Sequence, residues 1–204
     1  MREEILASAV HEFLERDEAT FRVAAVAKRA GCATSVLYHY FGSKEGLIDA
    51  ALIAIITDEV TELREWVRVS TEGAESASDA VELIVTFASW AHSPTRRTNR
   101  SIRARLVGAC QTKPAVREAF CDYGRLVAAT NESLIEILRD KGLVRTDLDT
   151  AALGLLMRCL DFGQILDEIN ESPHVDFNEW LRVVRALAES LAGVTSYLPR
   201  LSAD

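Results

Sequence analysis

The sequence predicts an all-α fold, a three-helix N-terminal head followed by a helical body of about six helices. Apolar residues recur at helical spacing through nearly the whole chain, and no stretch alternates with the period of a strand. Short breaks carrying Gly, Pro, Ser or Thr fall at helix-length intervals. With 204 residues, 49% of them hydrophobic and 26% charged, the chain can bury a sizeable core.

The first helix, Glu3 to Arg16, repeats its apolar residues at Ile5, Ala9 and Phe13, with Leu6, Val10 and Leu14 alongside. The second runs from Val23 to Ala30, and Val23, Val26, Ala27 and Ala30 form its inward stripe at i, i+3, i+4 and i+7. Gly31 closes it, because a residue without Cβ takes the left-handed backbone that turns the chain sharply into another helix. That next helix, Thr34 to Phe41, is held inward by Leu37 and Phe41. Helix, tight glycine turn, helix is the helix-turn-helix pattern.

The body begins after residue 43. Ser43, an N-cap residue, opens a helix to about Val69, which "STEGAES" ends. The following helices cover Ala77 to His92, Arg96 to Cys110 and Pro114 to Lys141, with "SPT" and "QTKP" as breaks and Gly142 as the closing residue. Leu148 to Ile169 and Phe177 to Val194 complete the set, separated by "NESPHVD". The expected domains are therefore 1–43 and 44–204.

The third helix has an unusual outer surface. Away from Leu37 and Phe41 it presents Thr34, Ser35, Tyr38, His39 and Tyr40, with no carboxylate. Two tyrosines at i and i+2 cannot both point into a core, so at least one faces outward. Net charge is −8, which taken as an average argues against a polyanionic partner, but it is unevenly spread. Residues 1–18 carry −4, residues 19–44 carry +4 with no acid, and the remainder −8. The basic segment, with Arg22, Lys28, Arg29 and Lys44, contains the unusual helix. In a DNA major groove, hydroxyls and an imidazole meet base edges and phosphates, whereas a carboxylate is repelled by the phosphates.

The stretch "VAAVAKRAGCATSVLYHYFGSKEGLIDAAL", residues 23–52, resembles the DNA-binding region of the tetracycline-repressor (TetR) family. The resemblance implies a ligand-responsive transcriptional regulator, most simply a repressor that releases a palindromic double-stranded DNA operator when a small molecule binds its body. An activator with the same head, or a helical protein–protein adaptor, is the alternative reading. It implies that Arg22 lies near a phosphate and that Thr34, Ser35 and Val36 open the recognition helix. Tyr38, His39 and Tyr40 face the groove, and Lys44 contacts a phosphate. Two departures from the family pattern are visible: Arg22 and Ala33 stand where a hydroxyl cap is usual, each a loss of about 1 kcal/mol. A third is the expected lack of a basic arm, since only Arg2 precedes the first helix.

The eighth helix is apolar on two faces, Leu153, Leu156, Met157 and Leu160 on one and Leu155, Cys159, Phe162 and Ile165 on the other. Trp180, Val184, Leu187, Ala188 and Leu191 stripe the ninth. A homodimer that joins these helices in a four-helix contact buries both surplus faces. The resemblance further implies an effector cavity among the fourth to eighth helices, walled by Phe87, Trp90, Tyr123 and Met157 with Arg103 as polar anchor. An acid-free basic run, Arg96 to Arg117, either lines a pocket for an anion or is mostly solvated surface or paired with the acidic first helix; composition favours the second.

Catalysis finds no residues. "DFG" at Asp161 to Gly163 falls inside a helix without the other kinase motifs. No HxxxH, GxSxG or GxGxxG pattern occurs, so neither metal nor cofactor is implied. Cys32, Cys110, Cys121 and Cys159 have no CxxC pairing and read as reduced, buried thiols of a cytoplasmic protein. The longest apolar run, Ala50 to Ile56, is too short to span a membrane, and the acidic start "MREE" is no signal peptide.

Overall fold

A computed structural model describes residues 1–16, 19–93, 96–169 and 175–194. Nine helices and no strand are found among them: α1 (Arg2–Glu15), α2 (Val23–Arg29), α3 (Thr34–Phe41), α4 (Lys44–Glu72) and α5 (Ala77–Ala91) come first. α6 (Arg97–Ala109), α7 (Pro114–Asp140), α8 (Thr150–Ile169) and α9 (Phe177–Leu191) follow. Residues 94–95 of the expected break "SPT" and 170–174 of "NESPHVD" lie outside the described residues.

Local chemistry sets the ends. Ser43 Oγ accepts from the Gly46 amide at 3.0 Å and opens α4. Ser76 and Asp79 form a reciprocal capping box on α5, and Asp176 accepts from the Asn178 and Glu179 amides at the start of α9. The expected break after Val69 comes later, because α4 continues through the buried Thr71 to Glu72. Thr71 returns its hydroxyl to the Val67 carbonyl at 2.7 Å. Lys141 then donates to the carbonyls of Thr71, Glu72 and Ala74 at 2.5, 3.2 and 3.0 Å. A cation on the last carbonyls of a helix is worth a fraction of a kcal/mol and ends it cleanly.

The chain packs as two compact units, residues 1–61 with 101–124, and residues 62–100 with 125 onward. In the first, Ile5, Ala9, Leu37, Leu52, Ile56 and Leu106 are fully buried. In the second, Leu63, Val67, Leu83, Leu134 and Leu138 form a core on which Trp66, Phe87, Trp90 and Met157 pack. There α5 lies along α9, fastened by Arg185 to both oxygens of Glu82 and by the Trp180 indole donating to His92 Nδ1 at 3.1 Å.

Much of the basic run is paired, with acids other than those of α1, while Arg97 and Arg117 lie on the surface. Within the first unit Arg103 donates to Glu59 at 2.9 Å, both buried, and Lys113 meets Asp49 at 2.6 Å. Within the second, Arg96 meets Glu62 at 2.8 Å. Arg100, nearly fully buried, binds Glu168 and the Ala91 carbonyl at 2.6 Å. Three of these acids, Asp49, Glu59 and Glu62, sit on α4. The cysteines also depart from expectation: none is buried, and Cys121 and Cys159 are exposed.

Arg103→Ala leaves the Glu59 carboxylate buried with its principal partner gone, so it should destabilise the fold by about 3–5 kcal/mol. The double change Arg103→Met with Glu59→Leu should recover most of that in urea denaturation. Additive losses in the double variant would show that the pair does not act as a unit.

Candidate nucleic-acid interface

The three head helices hold together through Ile5 and Ala9 of α1, Val26 and Ala27 of α2 and Leu37 of α3, all buried. Ala27 is small where α2 meets its neighbours, and the Cys32 amide bonds back to its carbonyl at 3.0 Å. Gly31, at φ +65°, makes that return possible. No side chain caps α2 or α3, since Arg22 and Ala33 occupy the cap positions. The starts of both helices are held by backbone bonds, Val26 to Arg22 and Val36 to Ala33.

With Leu37 turned inward, Thr34, Ser35, Tyr38, His39 and Tyr40 lie exposed, and Val36 is half-buried. Tyr38 and Tyr40 remain 44% and 42% exposed, too open for core aromatics. The His39 and Tyr40 rings meet edge to face at 5.3 Å. Exposed Arg22 and Lys28 and half-buried Lys44 flank this surface and make no ion pair with the described residues. Arg29 is different: its guanidinium reaches Glu15 at 3.1 Å and Glu12 at 3.7 Å. Glu12 is almost fully buried and also lies 3.3 Å from Arg16. Of the four cations in the basic segment, one is therefore committed to bracing α2 against α1.

The turn from α3 into α4 is tightly specified. Gly42 sits at φ +75°, and the Ser43 hydroxyl caps the Gly46 amide. A Cβ at Gly46 would lie 2.2 Å from the Phe41 carbonyl oxygen, a distance no side chain survives. Lys44 begins α4 immediately beyond this contact.

The model of the tetR family of bacterial regulatory proteins matches residues 5–51, which spans α1 through the first turns of α4. Over residues 5–51 the chain is therefore similar to that family. It is 33% identical over 85 residues to the HTH-type transcriptional regulator BetI of Stenotrophomonas maltophilia (strain R551-3), a match covering 41% of each chain. The match thus spans about two fifths of that relative's length. A TetR-family regulator from Mesorhizobium loti MAFF303099 has a similar fold, with a TM-score of 0.70, 16% identity and 95% of each chain covered. Thermus thermophilus FadR, a TetR-family repressor solved with lauroyl-CoA, superposes with a TM-score of 0.65 at 20% identity over 100% of this chain and 99% of its own. FadR from Bacillus subtilis, solved with stearoyl-CoA, does so with 0.58 at 17% identity over 92% and 97%. At these identities the likeness concerns the fold.

The remaining candidate residues are distributed as follows. Leu155, Cys159 and Leu187 are exposed; Phe162, Trp180 and Leu191 are half-buried; Val184 is buried within the protomer. A cavity of about 90 Å³ in the second unit is lined by Met157, Leu160, Val184, Leu187 and Leu191 among others. Phe87 stacks between Trp66 and Trp90 at 5.6 and 5.9 Å, and Arg96 lies 3.7 Å over the Trp90 ring. Arg103 and Tyr123 belong to the first unit, Arg103 paired with Glu59 and Tyr123 stacked on Phe120 at 5.4 Å. Sequence reasoning missed Glu12 and Gly46. The i, i+4 spacing of Glu12 and Arg16 hinted at the first, and a glycine three residues after a capping serine hinted at the second.

Gly46→Ala must move the Phe41 carbonyl or unwind the first turn of α4. The variant should melt several degrees lower and bind DNA at least tenfold more weakly than wild type, as thermal unfolding and mobility shift read. Gly73→Ala, where a Cβ meets nothing, serves as control.

Proposed function

We propose that this chain is a dimeric, ligand-responsive DNA-binding repressor of the cytoplasm, whose residues 1–43 read a palindromic operator. Residues 44–204 then hold the dimer and the effector. The observation that carries the reading is the exposed, acid-free face of α3, flanked by the cations Arg22, Lys28 and Lys44. Phosphate contacts from Arg22, Tyr38 and Lys44 would position the head. Thr34, Ser35, Val36, His39 and Tyr40 would meet base edges.

A dimer is supported by the exposed apolar residues of α8 and α9, where Leu155, Leu166 and Val183 are 52%, 68% and 55% open. Such a patch has no reason to face water in a monomer. Two heads so joined must stand about 34–36 Å apart to enter successive major grooves. An effector that binds one body conformation better than another then changes that spacing and releases DNA. Phe87, Trp90 and Met157, with Trp66, are the proposed wall for an apolar or weakly acidic molecule. The FadR proteins, solved with lauroyl-CoA and stearoyl-CoA, set a precedent on this fold for a ligand that carries a long apolar chain.

Tyr38→Phe and Lys44→Ala should each weaken binding to all duplexes alike, several-fold, and flatten the salt dependence for Lys44, without lowering the melting temperature. Ser35→Ala and His39→Ala should instead change which operator a random-fragment selection recovers. If all four bound one operator as wild type does, α3 would not be the reading helix.

Leu155→Glu, at the open face of α8, should convert a sedimenting dimer into a monomer and cost operator affinity about a hundredfold, since two linked heads gain by effective concentration what one cannot hold. A wild type that sediments as a monomer at micromolar concentration would refute the dimer.

A further inference from the structure

The second unit contains a cavity of about 90 Å³ bounded mainly by α7, α8 and α9. Leu134, Ile135 and Leu138 of α7 and Val184 and Ala188 of α9 line its buried side. Leu156 and Leu187, 46% and 45% exposed, line it where it meets the surface. Of the effector wall proposed above, Met157 borders this cavity, whereas Trp66, Phe87 and Trp90 do not.

The lining surface is almost entirely carbon. Arg145 is the one hydrogen-bonding side chain among the described lining residues, and its polar groups are engaged elsewhere. The guanidinium holds both oxygens of Asp147 at 2.6 and 2.5 Å, the amide donates to the Leu191 carbonyl at 2.8 Å, and the carbonyl accepts from Arg139 at 3.1 Å. An ordered water needs several polar partners, so water is a poor occupant of such a space. Left empty, the cavity forfeits the dispersion contacts of every side chain that faces it. A polar group carried inside loses its hydrogen bonds to water and gains none in return. Both effects favour an occupant made of carbon and hydrogen alone.

We propose that this cavity is a binding site for one small hydrocarbon group, a benzene ring or a chain end of similar size. An enclosed apolar cavity of roughly 150 Å³ stays dry and takes up benzene or xenon. The space here is smaller but reaches the surface beside Leu156 and Leu187, so a single ring is its limit. The occupant would touch α7, α8 and α9 together and tie them to one another.

Binding is read on the full chain without DNA, so its outcome is separate from that of the regulator reading. Calorimetry and thermal unfolding compare benzene with pyrazine, the same ring carrying a nitrogen at each end, one of which is turned inward in either orientation. Wild type should bind benzene at least tenfold more tightly than pyrazine and melt at a higher temperature in its presence. Methyl resonances of Leu134, Leu138 and Val184 should move on adding benzene, and those of Leu52 and Ile56, buried in the first unit, should not. Ala188→Leu and Leu160→Phe, which fill the cavity from two helices, should each weaken benzene tenfold or more. Failure of wild type to take up benzene, equal binding of pyrazine, unmoved methyl resonances at the cavity, or undiminished binding in a filled variant that folds would overturn the proposal. Uptake by the Leu155→Glu variant but not by wild type would also overturn it, since a second copy would then be the occupant.

Discussion

The start of α4 is the constraint on which the head depends. Gly46 stands so close to the Phe41 carbonyl that no larger residue fits, and the Ser43 hydroxyl closes the same turn on the Gly46 amide. Two short contacts therefore set the direction in which a 29-residue helix leaves α3.

Electrostatics reinforces the same helix. An acidic chain can carry a basic surface only where its own acids are kept away, and here the acids are engaged elsewhere. Asp49, Glu59 and Glu62 of α4 each hold a cation from Arg96 to Lys113, and Glu12 and Glu15 hold Arg29. The buried pairs add specificity of arrangement more than stability, because desolvation offsets much of their attraction. What they leave for the outer face of α3 is a small number of cations and no carboxylate, suited to a partner that is itself strongly negative.

Two kinds of surface remain that water covers poorly. The exposed leucines and valines of α8 and α9 form a broad apolar face of the kind that joins like to like. A groove along α4 is concave and largely apolar.

Helix periodicity and turn residues were legible in the sequence because they are local. The stripe of Leu37 and Phe41, the closure at Gly31 and the cap at Ser43 need only neighbours within one turn, so the all-α fold, the helix-turn-helix and the acid-free face of α3 could be read directly. Charge pairing was not legible, since Arg103 and Glu59 are 44 residues apart and only packing brings them together. Nor was the division of an apolar stripe between inside and outside: Val184 and Leu187 look alike in sequence, yet one is buried and the other open. The sequence by itself determined where helices form and which of them repels no phosphate. Tertiary structure alone decided which charges are spent, which hydrophobes stay exposed and where a cavity lies, because burial depends on residues distant along the chain.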